Sequence, residues 1–188
     1  MSPIQQISSK AAPLCHLPGG GLVCYHRGRI CVLRAGTVET QINLRIGGKE
    51  RLLGWNNWMS RLFRFGIRAA IAIDKNHVLL SSGQYIFELD LVRGELSPGW
   101  NCGEGIRPLA LSVISEINGF SNGVYFGGYL HNDEKKPVSI YRRKAIDDWE
   151  VVFTFPEGVV NHVHSVVADS FRQCVWVLTG DFDAAAAI

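Results

Sequence analysis

His162 and His164 are the residues best placed to do chemistry. They alternate on a predicted strand, so both rings point to one face and Val163 and Ser165 to the other. Asp181 closes the next predicted strand, where it can approach the same face. Two imidazoles and a carboxylate form a donor set for a divalent metal such as zinc. They also form an acid–base set, since imidazole titrates near neutrality. Three readings stay open for His162, His164 and Asp181: a metal site, a site for another polar ligand, or structural hydrogen bonding. In a β-propeller this strand would be innermost, with both imidazoles facing the axial cavity.

Tyr129, His131 and Asn132 leave a predicted strand into a loop that continues with Asp133 and Glu134. Loops at strand ends often carry binding groups, although this one also reads as a solvated turn. Arg107 precedes Pro108 and a new strand. Its guanidinium suits a carboxylate or sulfate, or a surface salt bridge. Glycoside hydrolysis usually needs two facing carboxylates. Asp74, Glu88, Asp90, Glu116, Asp169 and Asp181 are available, but no spacing pairs them.

Other chemistries are excluded by their surroundings. Pro18-Gly-Gly-Gly21 precedes no helix and lacks a following Lys-Ser/Thr, so it is no phosphate loop but a flexible lead-in to the first strand. Cys15-His16 and the Cys24/His26 pair lack zinc-finger spacing. The five cysteines are scattered, which suits free thiols in a reducing cytoplasm. Cys24 and Cys31 flank a turn at Arg27-Gly28, in a register that pairs His26 with Arg29, Tyr25 with Ile30, and Cys24 with Cys31. A disulfide is sterically open to them, but two small buried hydrophobes are the preferred reading.

The elements that must position these residues are short β-strands. Runs rich in Val, Ile, Leu, Tyr and Phe recur with Gly, Asn, Asp or Ser between them. Several, such as Ala69-Ala-Ile-Ala-Ile73, are apolar on both faces, whereas a half-wet sheet alternates. With no crossover helices, such sheets stack face to face around an axis. A weak repeat agrees. Residues 69–74 then 77–83, 109–114 then 123–128, and 163–169 then 175–180 each read as an apolar strand, a polar turn and a second apolar strand. The expected fold is all-β, a partial β-propeller of about four antiparallel blades over residues 1–188, with residues 1–18 as a flexible N-terminal segment. One stretch departs: residues 55–65 carry apolar side chains at helical spacing and predict a short amphipathic helix. Its apolar face packs on its own domain or, since it carries Trp and Arg, lies on a membrane surface.

A formal charge of +2 excludes an obligatory nucleic-acid partner, and no apolar run reaches the roughly 20 residues of a membrane span. Residues 1–10 are polar and lack a secretory signal, which again points to the cytoplasm.

The stretch 123–183 resembles bacterial β-propellers of the sialidase-like (BNR, or Asp-box) kind, including glycosidase-like propellers. Ile140-Tyr-Arg-Arg143, Trp149-Glu-Val-Val-Phe-Thr-Phe155, His162-Val-His164 and Trp176-Val-Leu-Thr-Gly-Asp181 carry the resemblance. The turn Arg143-Lys-Ala-Ile-Asp-Asp-Trp149 keeps Trp and Asp but not the glycine or the Asp spacing of an Asp-box. The family's arginine triad and its Tyr/Glu pair cannot be placed. The resemblance implies a propeller that corresponds to the N-terminal part of such a protein, completed by further chain or by a second copy. It implies a carbohydrate-associated module that binds a glycan or partner at its axial face without catalysis, or alternatively a glycosidase-like hydrolase with a channel-lining His/Asp site. Ligand candidates are His162, His164, Asp181, Tyr129, Asn132 and Arg107. No cofactor is expected beyond a possible divalent metal. A bare blade face, on the Cys24, Leu22, Leu33 side or the Val23, Tyr25, Ile30 side of the first blade, predicts self-association.

Overall fold

The computed structural model describes residues 11–26, 28–44 and 66–180. The predicted helix at 55–65 and Asp181 lie outside these residues.

Four antiparallel sheets follow one another along the chain. The first is β1 (Ala12–Leu17), β2 (Gly21–His26), β3 (Arg29–Arg34) and β4 (Thr37–Asn43), in that order. The second runs β5 (Ile67–Ala72), β6 (His77–Ser82), β7 (Tyr85–Asp90) and β8 (Glu95–Leu96), with β9 (Trp100–Asn101) also paired to β7. The third holds β10 (Ser112–Ile114), β11 (Gly123–Gly127), β12 (Val138–Ala145) and β13 (Asp148–Phe155). The fourth is the pair β14 (Val163–Asp169) and β15 (Cys174–Thr179).

Three apolar clusters form, one between each pair of successive sheets. Val23, Ile30, Val32 and Ile42 of the first meet Val78, Leu80 and Leu89 of the second. Leu79 and Ile86 of the second meet Val124 and Phe126 of the third. Tyr125, Val138 and Ile140 of the third meet Val163 and Val166 of the fourth. Successive residues of one strand therefore serve opposite interfaces: Val78 and Leu80 point one way and Leu79 the other. This is why the strands are apolar on both faces. First strands adjoin, β1 against β5 and β10 against β14, so each sheet presents its leading strand on one side. The result is a radial, propeller-like stack.

The predicted hairpin register holds: Cys24 pairs with Cys31, Tyr25 with Ile30, and His26 with Arg29. Both thiols are buried and free. Burial raises the Cys24 pKa, with Cys31 adding to it. Two expectations need correction. Residues 12–17 are not a flexible lead-in but strand β1, paired along its length with β2. Pro18-Gly19-Gly20 forms the turn between them and Gly21 opens β2; Gly19 and Gly20 stand at φ of 87° and 91°, where a Cβ would be strained. Nor is either predicted side of the first sheet bare. Val23 and Ile30 face the second sheet, and Cys24, Cys31 and Leu33 on the other side are buried as well.

The repeat read from sequence has a structural basis. Asp74, two residues past β5, and Asp169, the last residue of β14, each cap the turn that follows the first strand of their sheet. Asp74 accepts the N–H groups of Asn76 and His77, and Asp169 that of Arg172. The Arg172 N–H, the Trp176 ring N–H and the Arg172 guanidinium hold the Asp169 carboxyl down at about 2.

His77 makes the Asp74 turn pH-sensitive. Its Nδ1 lies 2.9 Å from Asp74 Oδ2, and its Nε2 lies 3.9 Å from Asp90 Oδ2. The Asp74 hydrogen bond raises the His77 pKa against the opposing effect of burial, with the charges of Asp74, Asp90 and Glu88 adding to it. The Asp74 pKa is lowered, first by the Asn76 N–H. A raised histidine stabilises the fold fully below its unfolded value of about 6.5, and that stability is lost as pH rises through the folded value. A lowered carboxylate stabilises above its unfolded value, and that stability is lost on acidification. The pair should therefore contribute most between about pH 4 and 6.5. Thermal melts from pH 5 to 8.5 should show a decline in Tm across this upper limb that shrinks in His77→Gln. An identical decline in that variant would refute the assignment.

Candidate functional site

The β11–β12 connection and the start of β14 meet because glycine leaves room for them. A Cβ on Gly127 would lie 2.1 Å from Val163 Cγ1, so only glycine lets the fully buried Val163 approach. The Val163 N–H then donates to the Gly128 carbonyl at 2.9 Å. Gly127→Ala should push β14 off the third sheet and lower stability by about 1–3 kcal/mol, read by chemical denaturation. An unchanged midpoint would show that the contact is not tight.

This approach brings three aromatic side chains together. Tyr129 stands 4.4 Å from His162 and 5.5 Å from His164, centroid to centroid. The two imidazoles lie 4.8 Å apart at 83°. The expected shared face of His162 and His164 is thus realised, and Tyr129, read separately from the sequence, joins it. His162 is buried, while Tyr129 and His164 are partly exposed.

Strict alternation fails just here. The β14–β15 register shifts between Val163, opposite Thr179, and Ser165, opposite Leu178, so the strand bulges at His164. Val163 and Val166 both pack against the third sheet, whereas simple alternation would put Val163 and Ser165 on one side. A bulge of this kind re-aims a side chain at the end of a strand.

An amide clasp fixes the base of the cluster. Asn132 Nδ2 donates to the Asn161 carbonyl at 2.9 Å, and Asn161 Nδ2 donates to the Asn132 carbonyl at 3.1 Å. Asn132 also binds both backbone groups of Lys136. Asn132 thus holds the loop, and Asn161, one residue before His162, holds the strand. Sequence reading missed Asn161; its only signal is an amide between an apolar pair and the His-x-His unit. Arg107 is exposed, and its N–H donates to the Tyr129 carbonyl at 2.8 Å, so its loop borders the site. His131 and Asp133 pair at 3.3 Å on the open surface.

Among the described residues no three His, Cys, Asp or Glu side chains form a group able to hold a metal ion. His162 and His164 supply two imidazoles, and Asp181 lies outside the described residues. Burial pushes the Cys15 thiol up to about 11 and the Cys102 thiol up to about 12, so neither is a nucleophile near neutral pH. No helix among the described residues is long and apolar enough to cross a membrane.

No protein-family model and no curated protein matches the chain. Among solved structures it is similar to the WD40 β-propeller domain of Doa1, with a TM-score of 0.51 and 13% identity, over 86% of this chain and 44% of that one. The chain spans less than half the length of that structure. Nothing in these comparisons supports the sialidase-like resemblance, and at this identity the likeness bears on fold alone. Together with the three interblade clusters, it shows a β-propeller-like, all-β architecture.

Proposed function

We propose that the chain is a non-catalytic β-propeller-like module that binds a glycan at the Tyr129, His162 and His164 cluster. The observation that carries this reading is the convergence of one phenol and two imidazoles at a single end of the stack. Aromatic faces suit the C–H surface of a sugar ring, and imidazole and phenol groups exchange hydrogen bonds with its hydroxyls. The Asn132–Asn161 clasp holds the cluster before ligand arrives, which reduces the ordering cost of binding. A divalent ion at His162, His164 and Asp181 is the competing reading.

The test is calorimetric titration of neutral and acidic oligosaccharides into wild type and His164→Ala, with a zinc titration and an aryl-glycoside turnover assay alongside. Saturable saccharide binding without turnover, weakened at least tenfold in His164→Ala at an unchanged Tm, is expected. Turnover, or stoichiometric zinc binding with no saccharide binding, would replace this reading with the hydrolase or the metal site. If His164 serves only the fold, His164→Ala should instead lower stability by about 1–3 kcal/mol without touching affinity.

A further inference from the structure

Two Asn-Gly pairs occur in the chain, Asn118-Gly119 and Asn122-Gly123, where the connection from β10 leads into β11. An asparagine before glycine is open to attack by its own chain, because no Cβ keeps the following backbone nitrogen from the side-chain carbonyl carbon. Both asparagines are exposed, so neither sequence nor exposure tells them apart. Their surroundings do.

Asn122 is held in place. Its Oδ1 accepts the Glu116 N–H at 3.0 Å, which fixes the side-chain amide. Gly123 opens β11 opposite Ile114, and the next three residues, Val124, Tyr125 and Phe126, are buried and anchor the backbone. A Cβ on Gly123 would lie 3.3 Å from Arg142 Cγ and 3.3 Å from the Arg143 carbonyl oxygen, so a ring formed there would be crowded. Asn118 differs on each count. With Gly119 it forms the centre of a turn closed by the Phe120 N–H, which donates to the Ile117 carbonyl at 3.1 Å. The Asn118 main-chain N–H donates to Gln173 Oε1 at 3.2 Å, but among the described residues no hydrogen bond holds its side-chain amide or the Gly119 N–H. A Cβ on Gly119 would meet nothing within 4 Å.

We infer that Asn118 is a deamidation site and that the fold protects Asn122. The Gly119 nitrogen gives its proton to hydroxide and attacks Asn118 Cγ. A C–N bond forms, the Cγ–Nδ2 bond breaks, and ammonia leaves. Water then opens the five-membered imide at either carbonyl, giving aspartate or isoaspartate. Both products place a new negative charge near the exposed Glu116. Isoaspartate also routes the chain through the side chain, which adds one carbon to the backbone between Ile117 and Phe120. That turn is tied to the β14–β15 turn through Gln173, so the modification loosens a link between the third and fourth sheets.

The test is incubation of the full chain at pH 8.5, with samples digested and read residue by residue by tandem mass spectrometry. In the folded protein Asn118 should convert about tenfold or more faster than Asn122, since local order sets the difference. In guanidinium chloride, where the two pairs lose their distinct surroundings, the rates should converge. Asn118→Gln should remove the fast phase of ammonia release while leaving Tm unchanged. Equal rates in the folded chain, faster conversion at Asn122, or a difference that persists undiminished in denaturant would overturn the inference.

Discussion

Phe126→Ala is expected to destabilise the fold by about 3–5 kcal/mol. Phe126 is fully buried at the interface of the second and third sheets. Its ring stacks on Tyr141 at 4.7 Å and 11°, and meets Trp149 edge-on at 5.2 Å and Trp100 at 6.1 Å. No neighbour can fill the space, because the surrounding rings are themselves held on three different strands. Urea denaturation followed by tryptophan fluorescence measures the loss, and Trp100 and Trp149 report on this interface directly. Phe126→Leu should lose less than Phe126→Ala, since it retains most of the volume. A loss below about 1 kcal/mol in Phe126→Ala would mean that these two sheets do not pack as described.

Arg143→Ala is expected to cost about 3–5 kcal/mol through a different term. Arg143 Nη2 on β12 donates to Glu88 Oε2 on β7 at 2.5 Å, with the two side chains only 18% and 8% exposed. Removing the guanidinium leaves the Glu88 carboxylate buried without that partner. The double variant Arg143→Met, Glu88→Leu removes both charges and should recover most of the loss, because the attraction of such a pair is largely offset by its desolvation. Additive losses in the double variant would contradict a direct pair.

The sequence carried the stack more plainly than the site. Apolar residues on both faces of β6 and β11 demand a sheet on either side, and the structure supplies one. The β2–β3 register was legible because a two-residue turn fixes every pair beyond it. Strand β1 was not legible: Ala12-Pro-Leu-Cys-His-Leu17 contains a proline and little β-branching. Among the described residues it pairs only with β2, and an edge strand tolerates the missing N–H. At the site, two-residue periodicity put His162 and His164 on one face without help from structure. Their meeting with Tyr129 depends on the narrow Gly127-Gly128 contact, 33 residues or more away in sequence, and the bulge at His164 leaves no local signal. Asp147 and Trp149 illustrate a third case. Read as remnants of an Asp-box turn, they instead join sheets: Asp147 binds Ser97 and Gly99, and Trp149 enters the aromatic cluster around Phe126.

The most direct test of the site follows the imidazole and phenol resonances of the labelled protein during an oligosaccharide titration. The account predicts that the His162, His164 and Tyr129 ring signals shift together along one saturable curve, while His77 and His131 stay unmoved. Saturable binding that leaves the His162, His164 and Tyr129 signals in place, or that shifts only one of the three, would contradict it.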